Sequence, residues 1–330
     1  MYKYIIKRLI YLIPVLLCVT LLIFTMLYIT PGDPARMILG NDASDEAVEQ
    51  YREELGLNDP FWTRYFRYLT GILHGDLGTS YTTKMPVAKE IAERFPTTFV
   101  MALLVTIFGT LVGVPLGILS AIKHNTFVDY LATTIGLIFV SMPSFWLGLM
   151  MIILFGVKLK WFPTSGWYGP QYAVLPAVTV GLTGIASRMR MTRSSMLEVI
   201  RSDYIRTARA KGQTEYKIIT GHALQNALLP VVTQIGMAFG TNMGGMIITE
   251  QIFAIPGLGK MMTDAVNQRN HPVVQGGVLW IAFATSIVNL IVDVLYAYID
   301  PRLKAQYVSN KKTKKVEAPK EAKAEGGAAA

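Results

Sequence analysis

Apolar residues in this chain gather into long blocks, and the blocks have the length of a membrane crossing. Residues 9–29, 99–122, 130–157, 224–249 and 272–292 contain no Asp, Glu, Lys or Arg. Bilayer hydrocarbon is roughly 30 Å thick and needs about 20 apolar residues of helix to cross it, so these blocks predict five spans. A sixth stretch, 172–187, is shorter and carries Pro176, Gly181 and Gly184. By hydropathy alone it would equally suit a re-entrant segment. The first block follows Lys3, Lys7 and Arg8 as a secretory leader would. It is longer than a leader's apolar core, however, and no small-residue cleavage site follows before Pro31. It is therefore expected to stay in the membrane.

Charge placement decides the sixth stretch. Three Lys or Arg precede the first span, one lies between the second and third, eight lie from Arg188 to Lys217, and eight follow from Arg302 on. If 172–187 crosses, all twenty fall on one side. The other side holds eleven, and the segment after the first span sets eleven acidic residues against its seven basic ones. Positive charge collects on the cytoplasmic side, so the expectation is an all-α membrane protein with six spans and both termini cytoplasmic.

Composition agrees, with 52% hydrophobic and 16% charged residues and a mean hydropathy of +0.38. The net charge of +9 is dispersed over the segments assigned to the cytoplasm, so topology accounts for it and no nucleic-acid partner is expected. The single cysteine, Cys18, lies in the first span, which leaves neither a disulfide framework nor a thiolate cluster. His74, His124, His222 and His271 form no ligand pattern, and no metal site is expected.

The external segment 30–96 reads as a small subdomain. Residues 45–55 suit a helix with Ser44 as its N-cap. Phe61, Trp62, Tyr65, Phe66 and Tyr68 suit an interfacial aromatic belt or a ligand site. Within the spans, Gly109, Gly113 and Gly117, and again Gly236, Gly240 and Gly244, recur every four residues and predict close helix packing. Pro115, Pro143 and Pro176 are expected kinks. Among intramembrane polar residues, Glu250 is placed at the outer end of the fifth span, lining a pore mouth or pairing with a partner chain. Asp293 is placed near the cytoplasmic end of the sixth, in an interfacial structural role. Gln234, Asn242 and Asn289 are weak candidates for a substrate path, with bonding between helices as the alternative. The five-helix core is assigned to 97–303, and the low-complexity segment 304–330 is read as a disordered cytoplasmic tail.

The cytoplasmic segment 188–223 carries Arg201-Ser-Asp-Tyr-Ile-Arg-Thr-Ala-Arg-Ala-Lys-Gly212, a helical stretch that Gly212 would cap. A second short helix is expected over 214–221. Two helices joined by a glycine turn under the membrane could dock in a groove on a cytoplasmic partner or lie on anionic headgroups, and spacing alone leaves both open. A phosphate-binding loop is missing. Its nearest approach, Gly257-Leu258-Gly259-Lys260, has Ala254 and Met261 at the remaining required positions and falls outside the cell.

The run YIRTARAKG at 204–212 followed by HALQNALLPVV at 222–232 resembles the coupling-loop signature of binding-protein-dependent ABC importer permeases of the dipeptide, oligopeptide and nickel branch. The opening at 7–35, GDLGTSY at 75–81, IPGLG at 255–259 and Asp300-Pro-Arg302 resemble that family in the same order. The general importer pattern begins Glu-Ala-Ala where this chain has Thr207-Ala208-Arg209, and the separation from Gly212 to Pro230 is longer. Both departures are features of the peptide branch.

The resemblance implies a type I ABC importer permease fold in a bacterial or archaeal cytoplasmic membrane. Arg206, Thr207, Ala208, Arg209, Ala210, Lys211 and Gly212 would couple to an ATPase. The implied partners are a second homologous permease, two ABC ATPase subunits that carry ATP and Mg, and an external substrate-binding protein. The chain itself would be no enzyme and bind no cofactor. The implied substrate is a di- or oligopeptide, with nickel or another small solute as the alternative. An ion-coupled secondary transporter would call for mid-span charges and inverted repeats, and an intramembrane enzyme for an assembled catalytic group. The sequence displays neither.

Overall fold

The computed structural model describes residues 2–40 and 42–299. The tail expected at 304–330 and the Asp300-Pro-Arg302 motif lie outside them. Among the described residues the regular elements are helices, with one isolated bridge between Thr79 and Pro86. A long helix, α1 (Tyr2–Ile29), leads into a cap of α2 (Pro34–Leu39), α3 (Asp45–Glu54) and α4 (Phe61–Leu73). Next come α5 (Val87–Ile122), α6 (Phe127–Ser141) and α7 (Ser144–Met151), the last prolonged by a π-helical turn, Ile152–Lys158. After α8 (Gln171–Ile200), α9 (Asp203–Ala210) and α10 (Glu215–Lys217), a second π-helical turn, Ile218–Ala223, leads into α11 (Leu224–Met243). The short α12 (Ile247–Ile252) and α13 (Leu258–Asn267) precede α14 (His271–Ile299).

Four helices, α1, α5, α8 and α14, are long and apolar enough to cross a membrane, and α6 with α7 makes a fifth if that bent pair is one span. The stretch that hydropathy ranked weakest, 172–187, is the N-terminal half of the unbroken 30-residue α8. Two stretches that looked stronger are the ones that break. Block 130–157 bends by 99° between α6 and α7, where Pro143 supplies no N–H and holds Met142 in an extended conformation. Block 224–249 loses its helix after Met243, and Gly245, at φ +98°, turns the chain into α12.

Glycine rows set the packing. A Cβ added at Gly113 would lie 3.1 Å from the Ile185 carbonyl oxygen, and one at Gly117 would lie 2.6 Å from that of Met189, so α5 and α8 run in parallel with their backbones nearly touching. On the other side Gly236 of α11 meets Val292 of α14, and Gly240 meets Asn289. Lipid offers no hydrophobic drive for helices to associate, so close backbone approach supplies it. Gly244 departs from the row, since it lies in the turn that ends α11.

Ion pairs close one end of the bundle. Arg8 of α1 meets Asp293 of α14 at 2.8 Å, which gives Asp293 the structural place expected of it. Arg193 of α8 grips Asp129 of α6 through Nε and Nη2, both at 2.8 Å. Asp129 also accepts from Ser120 of α5 and from the Asn125 amide.

The cap forms at the opposite end. Ser44 Oγ caps α3 by accepting from the Ala47 amide at 3.3 Å, as its position predicted. Of the five aromatic residues of α4, Phe61, Tyr65 and Tyr68 pack on Phe24 of α1, whereas Trp62 and Phe66 stay exposed. GDLGTSY is tied to the start of α14: the Tyr81 amide donates to Asn270 Oδ1, and Asn270 Nδ2 donates to Ser80 Oγ.

Candidate functional site

Between the ends of α8 and α11 the chain forms a hairpin around Gly212. Its inner side is apolar: Ile205 of α9 and Ile218 and Ala223 of the following turn are fully buried against Met196 of α8 and Ala121 of α5. Ala208 packs partly against the same cluster. The Lys211 amide donates to the Thr207 carbonyl, and Gly212 takes φ +74°, a left-handed cap open to glycine, with nothing within 4 Å of where a Cβ would sit. Across the turn Arg209 donates from Nε to Glu215 Oε1 at 2.7 Å and from Nη2 to Oε2 at 3.2 Å. This fork holds the exposed Glu215 carboxyl below its usual range.

Six of the seven residues singled out in sequence, Arg206, Thr207, Arg209, Ala210, Lys211 and Gly212, are exposed, and Ala208 is half-buried. The result is a turn with an apolar root and a small, basic outer surface. Sequence reasoning missed the root. Its signal was available in Ile205 and Ile218, the apolar positions of two otherwise polar stretches.

The polar residues considered for a substrate path are tied to helix packing. Gln234 Nε2 of α11 donates to Ser187 Oγ of α8 at 2.7 Å. Asn242 Nδ2 reaches Thr106 of α5 at a marginal 3.5 Å. Asn289 of α14 lies over Gly240. Glu250 corrects its expectation outright, for it is 0% exposed and lines no pore mouth. Its Oε1 accepts from Thr98 at 2.8 Å and its Oε2 from the Lys260 amide at 2.9 Å, while Thr98 also accepts from the Leu258 amide. Gly257 packs so closely on the carboxylate that no side chain would fit there. IPGLG thus wraps a carboxylate at the N-terminus of α13, where helix amides favour an anion.

Arg188, from which the cytoplasmic segment was counted, lies inside α8 and is 4% exposed. The helix runs on to Ile200, so the connection between α8 and α11 occupies residues 201–223.

Family comparison agrees with this architecture. Residues 113–305 match the binding-protein-dependent transport system inner membrane component, and residues 1–102 match the N-terminal model of such membrane components. The chain is 42% identical to the dipeptide transport system permease protein DppB of Alkalihalophilus pseudofirmus, over 92% of this chain and 100% of that relative. It is 41% identical to the glutathione transport system permease protein GsiC of Salmonella paratyphi A, over 92% and 99%. A chain of the MetNI methionine ABC transporter in inward-facing conformations aligns with a TM-score of 0.52 at 21% identity, over 64% of this chain and 96% of that one, which establishes a shared fold. The chain is therefore a permease, a member of the family of binding-protein-dependent transport system inner membrane components.

Proposed function

We propose that this permease is one of two pore-forming subunits of an ABC importer for peptides, with both termini in the cytoplasm and the α9 hairpin as its contact with an ATPase. The observation that carries this reading is the hairpin itself: an apolar root fixes it under α5 and α8, and the residues matching the family's coupling signature face outward. The names of the dipeptide and glutathione relatives support a peptide substrate. Helix registers support the topology. α5 and α8 run one way, and α11 runs antiparallel to α14, which supports α11 as a sixth crossing despite its weaker hydropathy.

ATP binding by the two partner ATPases would draw the hairpins together and open the pore outward. The external binding protein would then release its peptide, and hydrolysis would reset the pore. ATP and Mg belong to the partners.

The test is Gly212→Leu. It forces a left-handed backbone on an L-residue, at about 1–2 kcal/mol, and places a side chain on the docking surface. Peptide uptake is expected to be abolished with membrane insertion intact, and unchanged uptake would count against the assignment.

A further inference from the structure

We propose that Arg188 is a carboxylate-binding site in the transport path, a fork that receives the C-terminal carboxylate of the passing peptide. This deepens the importer reading and rests on it.

Arg188 belongs to α8, a helix apolar enough to span the bilayer, and an arginine in a span costs at least about 2.5 kcal/mol near the bilayer centre on insertion scales. Arginines near a span end usually escape by snorkelling to the interface. Arg188 does the opposite. The cytoplasmic clamp of Arg193 and Asp129 lies beyond it along α8, yet its guanidinium turns back toward the helix start, with Nη1 beside Gly109 and Gly184. A Cβ at Gly113 would stand 3.0 Å from the Arg188 Cβ. Three glycines on two helices thus clear room for the stem and head of one side chain.

Nothing in the described chain uses that head. Arg188 Nε is buried without a hydrogen-bond partner, and among the described residues the side chain makes no hydrogen bond or ion pair. Arg193, five residues on, shows what the same fork does when the chain supplies its own counter-ion.

Two more orphans lie on α5 and α11, helices packed against α8. Thr110 Oγ1, one residue past Gly109, and Gln234 Oε1, whose amide nitrogen holds Ser187 beside Arg188, are also buried without partners. An unpaired guanidinium, with unpartnered oxygens on two helices packed against α8, suits a ligand carrying a carboxylate and N–H donors. Every linear peptide ends in that combination whatever its side chains, so the site would grip the cargo without selecting its sequence.

The experiment uses the full assembly of permeases and ATPases in proteoliposomes with its binding protein, and tripeptide trialanine as free acid or C-terminal amide. Uptake is taken to saturation so that KM, which carries the binding protein's affinity, separates from the maximal rate. Arg188→Gln is expected to cut the maximal rate for the free acid about ten- to hundredfold, the span of a charge-assisted hydrogen bond. Arg188→Lys should restore part of it. The amide should be slow in the wild type and slowed no further by substitution. Equal losses for both peptides, no loss for either, or a complex that falls apart on Arg188→Gln would each overturn the proposal. Failure of the importer reading registers separately, as wild-type ATP hydrolysis that the binding protein does not stimulate, and takes this proposal with it.

Discussion

Two buried charges on this chain have opposite surroundings. Glu250 is enclosed by Thr98, the Lys260 amide and the glycines of IPGLG, each contact made within the chain. Arg188 is nearly as buried, in a niche that glycines widen, and no described residue answers its charge. A carboxylate satisfied by backbone amides holds elements together, and removing it strands its donors. A buried guanidinium left unpaired contributes nothing to the fold that would compensate for its burial, so its use has to come from outside the described residues.

Glu250→Ala is the sharpest way to break this contrast. It leaves the Thr98 hydroxyl and the Lys260 amide without acceptors, at about 1–3 kcal/mol each, and the unfolding midpoint in detergent should fall by many degrees. Gly117→Val should come next. Its side chain would meet the Met189 carbonyl and Thr192, and overpacking of this kind costs about 1–3 kcal/mol, read as a lower midpoint and less monodisperse protein. Arg188→Gln should leave the midpoint unchanged or raise it, although transport falls. A drop as deep as that of Glu250→Ala would erase the distinction.

The smallest effect concerns Glu215, whose carboxyl is held low by Arg209. A lowered carboxyl stabilises the folded hairpin above its unfolded-state value and loses that contribution as pH falls through the lowered one. Both partners are exposed, so the effect is screened. Amide-exchange protection over residues 209–215, taken relative to the intrinsic rate at each pH, should weaken slightly on acidification, and Glu215→Gln should remove that dependence.

Much of this was legible in the sequence because it rests on local chemistry. The long apolar blocks, the Ser44 cap, the glycine rows and the Gly212 turn all follow from neighbours a few residues apart. Ranking of the spans was not legible in the same way. Hydropathy marked Gly181 and Gly184 as weak points of 172–187, whereas in the structure Gly181 packs on Phe108 and Gly184 makes room for Arg188. Counting Arg188 as the first residue of a loop followed from its charge alone. The glycines facing it from α5 were the available signal, but only the parallel register of α5 and α8 brings them together. Glu250 was misplaced for a similar reason: its partners Thr98 and Lys260 lie in separate segments, and no local pattern joins them.

The most direct test of the permease account is to tag the chain, extract it in mild detergent and identify what copurifies by mass spectrometry. The account expects a second homologous permease and ATPase subunits bearing a phosphate-binding loop. Recovery of this chain alone, after crosslinking in intact membranes, would contradict it.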